Sequence, residues 1–518
     1  MIFQNDDRGV SEVVGVVVLF GFLIIALSTF QTVVVPQENA EAEFNSYQAA
    51  QGDMIDLRND LIASGTRGIN TGSSVQTGVT YPERIFTLNP PTARGGLSTG
   101  PTGTVTVENA SALSTEATNT RAFWDGTARS YNTTGITFRP QYNEFQGQQI
   151  VTTGETVYAV GDGQIAPLTG QSLISGDQIR LVTVDGDLDQ SGVRSSLTTV
   201  PRSVSTRTVV VTGAGENPVT LRLDPPPQTT ATEWISAYSE RILSSNQAVE
   251  NVTERSGQVV IELNGSRTYQ LKLARVTVGD GGSDEGTSDP AYLITQQGEA
   301  STVASGKRTI IAAEARDAFN NPVEGVNVTY SITSGSATFL DENGNAIQGT
   351  VTRPTNDQGR APQSIQVTEI GADVIVNATI EGTAGSLTTT TFTIQTPNEN
   401  NPVELAGVTF EGGTVPDGGG QPKDVTITFK NQNLDTDRTI DRFRMDFYQG
   451  ANPPTGGVIS GTSFSVGGSA VSTSISLPAN QTTSRVIDFN NGQVNGGEWF
   501  IITVQYDTGD TAQYFVSV

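Results

Sequence analysis

Residues 13 to 35 run Val-Val-Gly-Val-Val-Val-Leu-Phe-Gly-Phe-Leu-Ile-Ile-Ala-Leu-Ser-Thr-Phe-Gln-Thr-Val-Val-Val without one charge, and no other stretch of the 518 residues suits a bilayer. As a helix rising about 1.5 Å per residue, this segment reaches roughly 34 Å, enough to cross a hydrocarbon core of about 30 Å. Sixteen of its residues are Val, Ile, Leu or Phe. Each favours insertion by roughly 0.3–0.6 kcal/mol near the membrane centre, so the sum approaches about −5 to −10 kcal/mol. The expectation is a lipid bilayer partner through residues 13–35, with the polar remainder hung outside on a single pass. A cleaved secretory signal is a poor fit, because the apolar run is too long and ends in Val33-Val34-Val35-Pro36 without a small-residue site.

The flank sharpens this. Arg8-Gly9-Val10-Ser11-Glu12-Val13-Val14-Gly15 resembles the N-terminus of haloarchaeal type IV pilin-like proteins. The resemblance implies cutting by a prepilin peptidase near Arg8, Gly9 and Val10, and assembly with other pilins. Arg8 stands alone behind Asp6 and Asp7, where that family usually carries more basic charge. A processed pilin signal and a plain uncleaved anchor therefore both stay open.

The net charge is −25, and four lysines (Lys272, Lys307, Lys423, Lys430) stand against 25 arginines. Such a surface suits a halophile, since high salt screens the self-repulsion that would weaken the fold. Nucleic acid is not an expected partner, because that needs clustered cations. With no Cys and no His, disulfides, Cys/His zinc sites and Ser–His–Asp triads are excluded. Asn-x-Ser/Thr sequons begin at Asn109, Asn132, Asn251, Asn264, Asn327, Asn377 and Asn480, all beyond the apolar segment. They are N-glycosylation candidates on an exterior body.

The fold class expected is mainly β: one N-terminal pilin-like or transmembrane helix, then β-rich domains that include Ig-like sandwiches. Residues 1–64 form signal, membrane helix and stalk. In the stalk Phe44, Tyr47, Gln51, Met54, Arg58 and Leu61 make an amphipathic stripe that ends by Ser64-Gly65. That seam would pack on filament neighbours or on its own head. Residues 65–280 read as a β-rich domain with one helix at about 231–244, whose Trp234, Ile235, Tyr238 and Ile242 share a face. Strands are predicted at 103–107, 149–160, 178–184, 206–211, 218–223, 258–263 and 269–278. The last two are joined as a hairpin through Asn264-Gly265. Segments 138–144 and 184–188 also resemble haloarchaeal pilin-like surface proteins, carrying no site.

Residues 281–293 are an acidic, glycine-rich linker. In 294–396, Ala304-Ser305-Gly306, the run from Ala315 to Val328, Ser334–Ala337, Thr355–Ala361 and Val374–Ile380 resemble an invasin-type bacterial Ig-like module of the Big-1 kind. That implies an Ig-like spacer of adhesins and surface proteins. Alternating strands with tight turns agree with a two-sheet sandwich. After a second linker at 396–402, residues 403–518 read as another sandwich. The C-terminal domain, taken with its linker, is 397–518.

No catalytic, metal or cofactor residues are assigned. Asp185, Asp187 and Asp189 alternate as in a calcium loop, but Gln190 stands at the glycine position and Ser196 at the bidentate glutamate position. The glycine run 417–420 lacks a Gly-Lys-Ser/Thr ending. Trp124, Trp234 and Trp499 are read as core. The function expected is a membrane-anchored, pilin-like structural or adhesive surface protein of a halophilic archaeon, a minor or tip pilus subunit by its size. The alternative is a surface binder of a ligand, a glycan or another cell. A glycan-acting enzyme ranks third.

Overall fold

The computed structural model describes residues 8–85, 88–161, 163–245, 247–279, 288–303, 306–369, 372–382, 385–396, 403–410, 424–433, 435–450, 452–490 and 494–518. The flank 1–7, most of both linkers and the 417–420 run lie outside them. The chain is mainly β, about 51% strand and 16% helix. It divides into two units, 1–116 with 120–288 and 319–321, and 117–119 with 289–318 and 322–518.

The first unit opens with helix α1 (Arg8–Thr29), a π-helical turn (Phe30–Val34) and helix α2 (Val35–Arg67). Pro36 sits in the first turn of α2, where its missing N–H does no harm, and the helical run continues through it. A proline ring collides with the carbonyl four residues back. The preceding turn is widened, so that the Val35 amide donates to the Phe30 carbonyl, five back. The Thr29 and Thr32 hydroxyls fold onto the Ile25 and Ser28 carbonyls at 2.9 and 2.8 Å, occupying acceptors in the same stretch.

α2 buries Val35, Asn39, Glu43, Ser46, Tyr47, Ala50, Met54, Leu57 and Leu61. This stripe is rotated from the expected one: Phe44 is 42% exposed, while Ala50 and Leu57 are buried. The seam meets its own head, packing Tyr47, Ala50, Met54, Leu57 and Leu61 with Leu97, Phe138, Ile150 and Val276. The helix does not stop at Ser64-Gly65 but runs to Arg67, capped by left-handed Gly68. Gly65 is a contact point: a Cβ there would lie 2.9 Å from the Ala274 Cβ and 3.2 Å from Val182. Its missing side chain lets α2 lie close on the sheet.

That sheet has seven strands, and its centre pairs Gln178–Asp185 in parallel with Tyr269–Gly279. A six-stranded sheet (order 189–192, 94–99, 136–141, 149–152, 157–161, 164–167) and a five-stranded one (249–255, 258–263, 220–223, 103–108, 129–133) complete the unit. The predicted strand 149–160 is two antiparallel strands, Gln149–Thr152 and Val157–Gly161. Between them the Thr153 hydroxyl accepts the Glu155 and Thr156 amides at 3.2 and 3.1 Å, which turns the chain.

The expected hairpin at Asn264-Gly265 does not form, because Gln258–Leu263 and Tyr269–Gly279 belong to different sheets. Asn264 Oδ1 instead accepts the Ser266 amide and hydroxyl at 3.0 and 2.7 Å, an Asx turn that passes the chain onward. The hairpin forms one turn earlier. Ser256 and Gly257, at φ 55° and 80°, give the doubly left-handed two-residue loop between Val249–Arg255 and Gln258–Leu263. The predicted helix is present as Ala231–Ser245. Thr230 and Glu233 cap its start reciprocally.

The second unit holds two antiparallel Ig-like sandwiches, of five plus four strands each. The first begins at Pro290 and spans strands Pro290–Gln297 to Thr389–Ile394. The period-two pattern of Val374–Ile380 points Val374, Val376, Ala378 and Ile380 inward. The second sandwich spans Val403–Phe410 to Thr511–Ser517. In each, a buried tyrosine crosses the core to satisfy backbone of the opposite sheet. Tyr330 accepts the Ala313 amide at 2.9 Å and donates to the Ala361 carbonyl, and Tyr514 donates to the Val403 carbonyl at 2.9 Å.

Candidate functional site

α1 presents its apolar side chains outward all round: Leu19 is 71%, Phe22 69% and Ile25 65% exposed. A helix apolar on every face and covered by nothing asks for lipid or for other helices. The change is abrupt at the π turn, since Val33 is 56% exposed and Val35 1%. Arg8, Gly9 and Val10, the cleavage residues implied by the pilin resemblance, form the first turn of α1.

Beyond the turn, a buried carboxylate fixes α2 to the head. Glu43 is fully buried, and its Oε1 accepts the Asn143 amide at 2.9 Å and the Tyr81 hydroxyl. Its Oε2 accepts the Glu144 and Phe145 amides at 2.8 and 2.6 Å. Three consecutive backbone N–H groups converging on one carboxylate make an anion-binding nest. Four donors compensate its loss of water. The sequence signal was an acid at helical spacing from Tyr47 and Ala50. The stripe drawn through Phe44 hid it.

The first unit also contains a cavity of about 290 Å³ lined by Thr153, Glu155, Leu173, Asp224, Pro227 and Trp234 among others. Glu155 lines this cavity, and burial pushes its carboxyl up to about 7, against the pull of Thr153, the Val182 amide and Arg58. Arg58 holds the turn by donating Nε and Nη2 to the Glu155 carbonyl at 3.2 and 3.1 Å. Asp224 is satisfied by Thr104 and Gln258. The unfolded carboxyl titrates near 4.3, so the folded state retains the proton longer. Stability contributed here is then present below about pH 4 and lost as pH rises to about 7. Glu155→Gln is expected to flatten the pH dependence of unfolding between pH 4 and 8 by on the order of 2 kcal/mol. An unchanged profile in denaturant titrations across that range would refute the assignment.

In the second unit Trp499 is half-buried, unlike Trp124 and Trp234, which are core as expected. It lies between Phe447 and Phe515 at ring distances of 5.3 and 5.2 Å, and Phe447 is 37% exposed. This aromatic row edges a cleft of about 250 Å³ that also takes in Glu299, Arg360, Asp446 and Gln513. The rings are tilted by 40° and 37° to one another, and a partly exposed aromatic shelf beside carboxylates and amides is chemistry that fits a sugar face. The Ig-like module has no tryptophan of its own; the shelf comes from the following sandwich.

Among the sequons, Asn132, Asn327 and Asn480 are exposed, whereas Asn109, Asn251, Asn264 and Asn377 are partly covered. Asn109 donates its amide to the Pro218 carbonyl at 3.3 Å. Asp185 is engaged by Arg275 at 2.5 Å and by Thr277.

No family model matches the chain. An uncharacterized protein of Archaeoglobus fulgidus is 20% identical over 342 residues, covering 64% of this chain and 55% of that protein. The chain thus spans about half the length of this curated relative. Among solved structures, the Yersinia pseudotuberculosis adhesin InvE is 13% identical, with 42% of this chain and 56% of that one covered, at a TM-score of 0.15. Domains 5–6 of the S-layer protein SbsC are 14% identical over 44% of this chain and 99% of that one, at 0.18. The Escherichia coli adhesin FdeC is 12% identical over 61% and 94%, at 0.17. Superpositions this loose carry no inference, so the Ig-like fold rests on the chain's own strand order and cores.

Proposed function

We propose that this chain is a membrane-anchored cell-surface protein whose β-rich body serves a structural or adhesive role outside the cell. One observation carries the reading: a helix exposed and apolar on every face continues without a break into a stalk built into the head. Such a stalk transmits load between membrane and body, which a loose tether would not. The pilin-like N-terminus extends the proposal to a minor or tip subunit of a pilus in a halophilic archaeon. A 54.6 kDa chain is too bulky to repeat at every position of a thin filament. No catalytic role belongs to this reading.

The test is fractionation of the native protein with determination of its mature N-terminus. Carbonate-resistant membrane association is expected, with an N-terminus at Gly9 or Val10 for a pilin and at Met1 for a plain anchor. Recovery of the intact chain in the soluble fraction would refute both. The Trp499 shelf supports a second reading, in which the body captures surface glycans. A glycan array should then show binding that Trp499→Ala abolishes; binding untouched by that change would remove the shelf from the account.

A further inference from the structure

Residues 82–85 and 88–91 are described, and both sides of this segment are tied to the Glu43 nest. Tyr81 donates to Glu43, and Asn143 Nδ2 donates to the Pro91 carbonyl and to the Tyr81 oxygen, each at 2.8 Å. Arg84 braces it, reaching Asn89 Oδ1 at 2.8 Å, Glu38 at 2.6 Å and Asn39 Oδ1 at 3.3 Å. Leu88 is held farther along the helix, toward its apolar part. The side-chain amide of Gln31 clasps Leu88 at two points: Nε2 donates to the Leu88 carbonyl and Oε1 accepts the Leu88 amide, both at 2.8 Å.

Two aliphatic side chains on this braced loop face solvent. Ile85 is 90% and Leu88 80% exposed, above every other large apolar side chain among the described residues. The clasp fixes the level of Leu88, while Ile85 follows Arg84, which is held at Glu38 and Asn39. Gln31 lies 18 residues beyond Val13, about 27 Å along the helix, where a hydrocarbon core of about 30 Å is ending. The first charged residue after Glu12 is Glu38, and it pairs with Arg84. The Glu38–Arg84 ion pair therefore lies on the head side of the Gln31–Leu88 clasp.

We propose that Ile85 and Leu88 make a second membrane contact, entering the headgroup–acyl boundary of the bilayer that holds α1. The proposal rests on the anchoring reading. A single helix can spin and tilt in a bilayer, whereas a helix with an apolar foot clasped at its side holds the body at one rotation and height.

The chain contains no cysteine, so single-cysteine variants report cleanly. Full-length protein carrying Ile24→Cys, Ile85→Cys, Leu88→Cys or Glu254→Cys, each nitroxide-labelled, is placed in phosphatidylcholine–phosphatidylglycerol vesicles. Collision rates are then compared for oxygen, which concentrates in lipid, and for a water-soluble nickel chelate. The expected result is a severalfold higher oxygen-to-nickel ratio at 85 and 88 than at 254, with 24 deepest. Labels at 85 and 88 that match 254 while 24 is in lipid would overturn the proposal alone. Labels at 85 and 88 shielded from both reagents would overturn it too, pointing to a second protein copy. A water-exposed label at 24 would defeat the anchoring reading first.

Discussion

Glu43→Ala is expected to destabilise the first unit by about 3–5 kcal/mol, the range for removing one member of a buried, charged network. The loss exceeds that of an ordinary hydrogen bond because four donors are left together in a dry place. The Tyr81 hydroxyl and the amides of Asn143, Glu144 and Phe145 would all face a void. Glu43→Gln should cost less, since one carbonyl oxygen remains to accept, although its NH2 group then confronts donors. The measurement is chemical denaturation of the full chain in detergent, followed through protection of α2 amides against hydrogen exchange. Because the chain has several domains, a local probe is needed in place of a single global transition. An alanine variant that loses under about 1 kcal/mol would show that the nest is not what fixes α2 to the head.

Charge placed in α1 should release the protein from membranes. Leu19→Asp with Ile24→Asp exchanges two favourable residues for two that each cost about 2.5–3.5 kcal/mol near the centre of a span. The change totals about 6–8 kcal/mol, comparable with the whole insertion energy of roughly 5–10 kcal/mol. Both positions are exposed, at 71% and 48%, so no protein core is disturbed and the head should keep its circular dichroism. A double variant that still resists carbonate extraction would refute the anchor. Truncation makes the same test if it starts at Val34 and not after Pro36, because Val35 is part of the buried face.

Much of the fold was legible because its signals are local. Alternation marked Val374–Ile380, and an uncharged run marked α1. The failures come where distant residues decide. Asn264-Gly265 has hairpin chemistry, yet the strands on either side find better partners in other sheets. Gly65 reads as a helix breaker, and only Ala274, more than 200 residues on, shows that it is a contact point. The candidate site fared worse for the same reason. Glu43 binds amides 100 to 102 positions away, and Gln31 clasps a residue 57 positions away. Neither spacing leaves a trace in a local window.

The pairing of Gln178–Asp185 with Tyr269–Gly279 also sets a timetable. α2 rests on that pair as well as on Leu97, Phe138 and Ile150, so its apolar face stays incompletely covered until residue 279 has been made, 212 residues after Arg67. At about 5–20 residues per second this leaves a gap of roughly 10–40 s between completion of the stalk and closure of the head. For that interval the nascent chain exposes a sticky rod, and chaperoning at the exit from the ribosome would be needed most there.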